Sequence, residues 1–458
     1  MEKLFGTSGI RGSITEKVTP KLALDLGRSL GTFLQGRGKV GLGIDERTSN
    51  QMLKRAFVSG VLSTGVSVID VGVAPMPTVA SFSTWDGIRA SIIITASHNP
   101  PTDNGFKFFV EGREFIRSEE VEMEKTVASG DFVVAEWKYI GSIQSSDIKN
   151  QYLNRIKEFI RKRGSDGSGA KILVDAANGA ACSYTPKLLD ELGFSVTTIN
   201  AHADGYFPGR PAEPSPRNLT DIMQMMMDSD FAVGIAHDGD GDRIAIIDEN
   251  GQFIDQNRII AILAREEVER KGGGLVVVSI DTSSVIDELV HNAGGEIVRT
   301  ALGSLQELLH SKKEEVVFAS EPWKPIFSDL GLWMDGIAGA ARICQLVDGL
   351  GNGSCMELMK NIPEYPILRE NIHCPNQIKD EFIPHVKKLI SPNLNGLDKV
   401  IEVDGIRFEF SNGSYLLIRV SGTEPKARLY VGGRSEQTVE KLADVGRMTM
   451  KQAVNDLS

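Results

Sequence analysis

The sequence predicts an α/β protein: three similar α/β domains followed by a smaller C-terminal α+β domain. Three observations carry that reading. A strand–helix–glycine–strand unit occurs three times, its strands are near-continuous apolar runs, and an Asn-Gly hairpin signal joins two strand-like segments near the C-terminus. A chain of 458 residues is also too long for one core, since domains run to about 150 residues each.

The first unit is the strand Lys39–Asp45, a helix over Gln51–Ser63 and a second strand after Gly65. The second is Lys171–Asp175, a turn at Asn178-Gly179, a helix over Thr185–Leu192 and a strand after Gly193. The third is Leu275–Asp281, a helix over Ser284–Asn292 and a strand after Gly294. Each has the length of a βαβ crossover, and the apolar runs suit sheets covered on both faces. The C-terminal part differs. Ile406–Phe410 and Ser414–Val420 flank Ser411-Asn412-Gly413, a two-residue hairpin signal, and a strand Arg428–Val431 and a helix Glu436–Leu457 follow. A loop at Gly164–Gly169 and the prolines of Pro363–Pro366 punctuate the chain. The expected domains are residues 1–145, 146–250, 251–362 and 367–458.

Composition narrows the function. A formal net charge of −11 argues against general nucleic-acid binding, which relies on basic surface. No apolar stretch approaches the ~18 residues of a membrane span, and MEKLFGTSGIRG has the regions of no signal peptide. Cys182, Cys344, Cys355 and Cys374 are scattered, with no CxxC pair or disulfide framework. A cytoplasmic protein with a small-molecule partner, and with neither nucleic acid nor membrane, is the expectation.

Three stretches carry chemistry. In His237-Asp-Gly-Asp-Gly-Asp-Arg243, Asp238, Asp240 and Asp242 alternate with glycines between two apolar runs. Carboxylates so spaced converge only on a tight turn, which Gly239 and Gly241 would open through φ > 0; three hard oxygen ligands suit Mg²⁺. An EF-hand is excluded, because its sixth position should be glycine and is Arg243, and strands rather than helices flank the loop. Arg419-Val-Ser-Gly-Thr-Glu-Pro-Lys-Ala-Arg428 places a Ser-Gly-Thr turn between arginines, a combination suited to phosphate. The run SIIITASHNPP ends a buried strand in Ser97 and His98. No Gly-x-Ser-x-Gly elbow surrounds Ser97, and an adjacent histidine is poorly placed as a triad base, so a serine hydrolase ranks low. A serine that carries a phosphoryl group gripped by the aspartate-bound metal, with Arg419 and Arg428 on a second phosphate, accounts for all three.

These motifs resemble the α-D-phosphohexomutase superfamily, which includes phosphoglucomutases, phosphomannomutases and phosphoglucosamine mutases. FGTSGIRG, TASHNPP, DNGFK, DGDGDR and RVSGTEPKAR occur in the family's order over essentially the whole chain. The resemblance implies four domains around a central cleft, and reversible transfer of phosphate between a sugar's 1-position and its terminal hydroxyl. It also implies Mg²⁺ and a catalytic sugar bisphosphate as activator. Residue by residue, it implies Ser97 as phosphoserine, with Asp238, Asp240, Asp242 and an oxygen of that group as the metal's ligands. Arg11 and Lys107 would steady the reacting phosphate and assist proton transfer, with His98 a second acid/base candidate. Arg419, Ser421, Gly422, Thr423 and Arg428 would bind the other phosphate, and Gly303 would help read the sugar. The four domains then carry phosphoserine, metal, sugar recognition and phosphate binding in turn. The oligomeric state is left open, with a homodimer in view.

The third domain departs from the family's pattern. Its sugar-reading loop is usually Glu-x-Ser-Gly, and here Glu321-Pro-Trp-Lys324 stands in its place. Glu321 remains an acceptor for sugar hydroxyls, whereas Trp323 would stack on a sugar, narrow the pocket or simply pack in the domain, with Lys324 beside it. The reading is a phosphosugar mutase acting on glucosamine or hexose phosphate. Phosphopentomutase specificity and a silent sugar-phosphate-binding homologue are the alternatives.

Overall fold

Thr19 starts the first helix. Its side chain accepts from Leu22 N, Pro20 fills the first turn, and Pro20–Phe33 is helical. Leu26 and Leu30 of this helix join Phe57 and Val61 of the helix Asn50–Ser63 in one buried cluster, which covers a mixed sheet. Its strands are β1 (Ile10–Ser13), β2 (Lys39–Ile44), β3 (Ser67–Val73), β4 (Ile88–Ile94), β5 (Asp103–Val110), β6 (Arg113–Glu114) and β7 (Ile143–Ser145), ordered β1-β5-β4-β2-β3-β7 with β6 on β5. The first repeat is therefore a genuine βαβ unit: β2 and β3 are parallel, and β4 joins β2 in parallel. The antiparallel β5 and β1 extend the sheet, so Arg11 lies opposite Gly105 on the strand that carries Lys107. Ile44 and Ile94 are register partners, which brings the segments after β2 and β4 together at the carboxyl end of the parallel strands. Open α/β sheets bind ligands at that end.

The computed structural model describes residues 3–351, 353–390, 394–421 and 424–458. The chain divides into two units. One is Met1–Ile254 with Gln306–Lys313 and Trp323–Lys360; the other is Asp255–Leu305 with Glu314–Pro322 and Asn361–Ser458.

The first unit holds a second sheet, in which β8 (Lys171–Asp175) and β9 (Ser195–Ile199) are parallel, as the second repeat predicts. Strand β10 (Val233–Ala236) adds in parallel to β8, and β11 (Ala245–Ile247) pairs antiparallel with β10. The acidic motif is the connection between β10 and β11. Leu173, Ile222, Met226 and Ile247 form the buried core here, and Phe253 and Trp323 pack onto it half-buried.

In the second unit, Leu275–Ser279 pairs in parallel with Glu296–Thr300 and with Val316–Glu321. The C-terminal sheet is antiparallel, in the order Ile367–His373, Lys426–Gly432, Tyr415–Val420, Ile406–Phe410, Leu397–Ile401. The helices Lys379–Ile390 and Glu436–Leu457 supply Phe382, Val386, Val439 and Met450 to its core. The edge strands Ile367–His373 and Leu397–Ile401 do not stand out in the sequence because none of their residues is fully buried. Among the described residues, no helix is long and apolar enough to cross a membrane.

Candidate active site

Within the first unit, the turn after β4 delivers Ser97 to the acidic motif. Ser97 is fully buried and its backbone sits in the left-handed region at φ 53°, a conformation that costs a non-glycine residue of order 1–3 kcal/mol unless its surroundings impose it. Two side chains impose it here. Thr95 Oγ1 accepts from Ser97 N at 2.8 Å and donates to Asp45 Oδ2 at 2.7 Å. Arg47 donates to the carbonyls of Ser97, Asn99, Pro100 and Asp103 at 3.0, 2.7, 2.5 and 2.9 Å, and its Nε pairs with Asp45 Oδ2 at 3.2 Å. The Phe207 ring lies 5.2 Å from the same guanidinium.

Ser97 Oγ donates to Asp238 Oδ2 at 2.6 Å, across 141 residues of sequence. Asp238, Asp240 and Asp242 are fully buried, and their carboxylate oxygens lie within 4.8 Å of one another. The turn uses its two glycines differently from the sequence expectation. Gly241 does have positive φ (72°), but Gly239 does not. A side chain on Gly239 would instead bring its Cβ to 2.6 Å from the Ser97 carbonyl oxygen, so this glycine is required by the close approach of the serine loop. Gly241 N and Arg243 N both donate to Asp238 Oδ1, at 3.1 and 3.3 Å.

Cations balance these carboxylates. Lys107 Nζ is 2.7 Å from Asp242 Oδ2 and 3.4 Å from Asp240 Oδ2; Lys324 Nζ is 3.8 Å from Asp242 Oδ2; Arg243 Nε is 3.8 Å from Asp238 Oδ2. Burial alone would raise the Asp242 carboxyl, but Lys107, Lys324 and Arg243 hold it well below the usual range. Burial, then repulsion from Asp242 and Asp240, pushes Asp238 upward. Burial would lower Lys107, yet Asp240 and Asp242 more than offset it and raise the ammonium above its ordinary value. His98 Nδ1 lies 3.2 Å from Ser97 Oγ, and its Nε2 lies 3.4 Å from Arg243. Burial, reinforced by Arg243, Arg11 and Lys324, holds His98 down to about 2, so the ring is neutral. Arg11 bonds Ser8 Oγ at 3.1 Å.

The aspartates fit a divalent cation. Among the described residues, Asp240 Oδ1 and Asp242 Oδ1 are buried without a hydrogen-bond partner. Buried orphan carboxylate oxygens are costly, and oxygen donors converging on one point are what Mg²⁺ accepts.

Trp323 and Lys324 belong to this unit as well. The Trp323 ring rests against Phe253 with centroids 5.8 Å apart, on the core of the second sheet rather than projecting as an open platform. The remaining sequence-derived residues lie in the second unit. Gly303 N donates to Glu321 Oε1 at 2.7 Å. Arg419 and Arg428 are cross-strand partners; Arg419 pairs with Asp404, and Arg428 lies 3.7 Å from Glu424. Glu424 N donates to Ser421 Oγ at 3.2 Å. Gly422 and Thr423 lie outside the described residues.

Four family models cover almost the whole chain, each described as phosphoglucomutase/phosphomannomutase. The alpha/beta/alpha domains I, II and III match residues 2–134, 150–251 and 255–365, and the C-terminal domain matches residues 371–445. The chain belongs to the phosphohexomutase family.

As a phosphohexomutase it is an isomerase that transfers phosphate within its substrate, built of three alpha/beta/alpha domains and a C-terminal domain. It is 39% identical over 456 residues to a phosphopentomutase of Thermococcus kodakarensis, with 99% of each chain covered. It is 40% identical over 450 residues to a probable phosphoglucosamine mutase of Methanopyrus kandleri, with 97% of each covered. Among solved structures, a phosphoglucomutase/phosphomannomutase family protein of Burkholderia thailandensis superposes with a TM-score of 0.87 at 26% identity, over 98% of this chain and 97% of that one.

Sequence reasoning missed four residues of this phosphohexomutase's candidate site: Asp45, Arg47, Thr95 and Arg243. A signal existed for two of them. Asp45-Glu-Arg47 directly follows a buried parallel strand, the position where α/β proteins put functional groups. Thr95 and Arg243 stand inside motifs already singled out, but nothing local tells which neighbours they bond.

Proposed function

We propose that the protein moves phosphate between the 1-position and the terminal hydroxyl of a sugar, through a phosphoserine at Ser97 and a sugar bisphosphate. The observation that carries this reading is the 2.6 Å bond between Ser97 Oγ and Asp238 in a buried triaspartate turn. In the first half-reaction the bond between phosphorus and Ser97 Oγ breaks as a bond from a sugar hydroxyl oxygen to phosphorus forms; in the second, the bond from the other phosphate's phosphorus to its sugar oxygen breaks as the bond to Ser97 Oγ re-forms. Asp238, Asp240 and Asp242 would hold Mg²⁺, which supplies Lewis-acid neutralisation of phosphoryl oxygens. Lys107, Arg11 and Arg243 add cationic charge, which is the main demand of phosphoryl transfer. His98, whose Nδ1 lies 3.2 Å from Ser97 Oγ, and Lys107 are the two candidates for moving protons at the reacting oxygens. Arg419, Ser421, Gly422, Thr423 and Arg428 would bind the phosphate that is not reacting, and Gly303 with Glu321 would read the sugar. On this reading, residues 1–145, 146–250, 251–362 and 367–458 carry phosphoserine, metal, sugar recognition and phosphate binding.

The substrate proposed is a glucosamine or hexose phosphate. A pentose phosphate is the second reading, favoured by the phosphopentomutase name of the Thermococcus relative and by the Trp323-Lys324 replacement. A ³¹P NMR panel tests both: enzyme, Mg²⁺ and a catalytic sugar bisphosphate are offered the 1-phosphates of glucose, mannose, glucosamine and ribose separately. Exchange with a hexose or hexosamine supports the first reading, exchange with ribose alone supports the second, and no exchange with any rejects the mutase mechanism.

A further inference from the structure

The helix Gly336–Gly349 starts against the acidic turn. Gly336 is not at positive φ, so its lack of a side chain answers a contact rather than a backbone conformation. A Cβ there would lie 2.6 Å from the Arg243 carbonyl oxygen and 2.8 Å from that of Gly241. Those two residues flank Asp242 in the sequence. Ordinary contact begins near 3.4 Å, so a methyl group at Gly336 requires one backbone to retreat from 2.6 Å by about 0.8 Å.

The start of the helix is the better held of the two. Asp335, directly before it, is fully buried. Its carboxylate accepts from Ala338 N at 2.8 Å, Tyr152 Oη at 2.9 Å and Trp333 Nε1 at 2.9 Å, and its own N–H donates to the Pro325 carbonyl at 2.8 Å. Retreat of the helix would stretch all four bonds. The acidic turn is tied down mainly at its other end, where the Gly239 carbonyl accepts from Ala180 N at 2.9 Å and that of Asp240 accepts from Met76 N at 2.8 Å. Gly241 N and Arg243 N reach Asp238 by longer bonds of 3.1 and 3.3 Å. The Arg243 carbonyl lies 2.9 Å from His237 Nδ1, which belongs to the same motif and travels with it. The segment Gly241–Arg243 is therefore the part that yields, and it carries Asp242. Mg²⁺ demands near-ideal octahedral geometry, and its ligands must be held within about 0.5 Å of their places.

We propose that Gly336 is a positioning residue for the metal site: the helix start that Asp335 fixes is the surface on which the peptides flanking Asp242 rest, and it sets where that carboxylate stands. The inference rests on the reading of the three aspartates as Mg²⁺ ligands. It gives part of the stretch 251–362, expected to recognise the sugar, a role at the metal as well.

The test uses the full chain with G336A and, as control, G349A, whose Cβ at the far end of the same helix would meet nothing within 4 Å. Mg²⁺ affinity is measured by isothermal titration, and folding by the melting temperature without metal. G336A should raise the Mg²⁺ Kd at least about tenfold, the scale on which groups that orient metal ligands act, and G349A by less than about twofold. In the wild type, saturating Mg²⁺ should slow hydrogen exchange at the amides of Gly336–Ala341 at least about threefold relative to those of the helix Glu436–Leu457. That readout decides the matter even if G336A does not fold. A G336A protein that melts lower yet binds Mg²⁺ with the wild-type Kd would overturn the proposal and leave Gly336 a packing residue. Exchange at the helix start that Mg²⁺ leaves unchanged would overturn it too. A wild type that binds no Mg²⁺ would instead remove the metal reading of the aspartates.

Discussion

Arg47→Met tests whether the serine is held by long-range packing. The Arg47 and Asp45 side chains are both fully buried, so the substitution leaves the Asp45 carboxylate with Thr95 and Asn50 but no cation. Removing one partner of a buried ion pair costs about 3–5 kcal/mol. Of the four carbonyls that lose their donor, those of Asn99, Pro100 and Asp103 belong to a partly exposed loop and recover most of their loss by hydration, whereas that of Ser97 is buried. A central value of about 4 kcal/mol, at roughly 2–4 °C per kcal/mol for a domain of this size, predicts a melting midpoint lowered by roughly 8–16 °C. Function should suffer separately. Without the clamp, Ser97 is free to leave its left-handed conformation, and a shift of about 1 Å in a reacting atom costs about a hundredfold in rate. The assay pairs differential scanning calorimetry with mutase turnover at a temperature where the variant is folded. A melting shift below about 3 °C together with wild-type kcat would refute the reasoning.

Ser97→Ala should abolish turnover and the phosphorylated species seen by intact mass while leaving sugar-phosphate binding by calorimetry largely unchanged; substantial residual turnover would remove the phosphoserine assignment. Asp240→Asn and Asp242→Asn should each weaken Mg²⁺ binding at least about tenfold by isothermal titration, because each removes a charged oxygen donor. Arg419→Ala should raise the Kd for sugar phosphates about tenfold or more through loss of a charge-assisted contact, and an unchanged Kd would take that loop out of the site. Asp335 gives a pH prediction. Burial, opposed by bonds from Ala338, Trp333 and Tyr152, raises its carboxyl to about 6. A raised carboxyl favours the folded state at low pH, so the stabilisation is full below about 4 and is lost as pH rises through about 6. Relative to Asp335→Asn, the wild type should therefore gain about 2 kcal/mol between pH 7 and pH 4, measured by urea unfolding; a pH-independent difference would contradict it.

The fold was legible because its determinants are local. A buried parallel strand is an apolar run, and its crossover helix and glycine follow within a fixed distance; β2/β3, β8/β9 and the pair Leu275–Ser279 with Glu296–Thr300 are all parallel, as the three repeats require. The edge strands Ile367–His373 and Leu397–Ile401 escaped notice because exposed residues interrupt any apolar run. The acidic turn was legible for the same reason, since residue type and turn spacing bring the three carboxylates together.

What the sequence by itself determined is therefore the domain plan and the list of reactive groups. What only tertiary structure decided is which groups meet. Ser97 reaches Asp238 across 141 residues, Gly239 is glycine because a distant loop presses on it, and Arg47 gathers the carbonyls of a turn about fifty residues away. Lys324, in the motif read as facing the sugar, ends within 3.8 Å of Asp242. The reason is physical. Periodicity and turn propensity are set by neighbours along the chain, whereas the destination of a long, charged side chain is set by whichever buried opposite charge the packed fold brings within its reach.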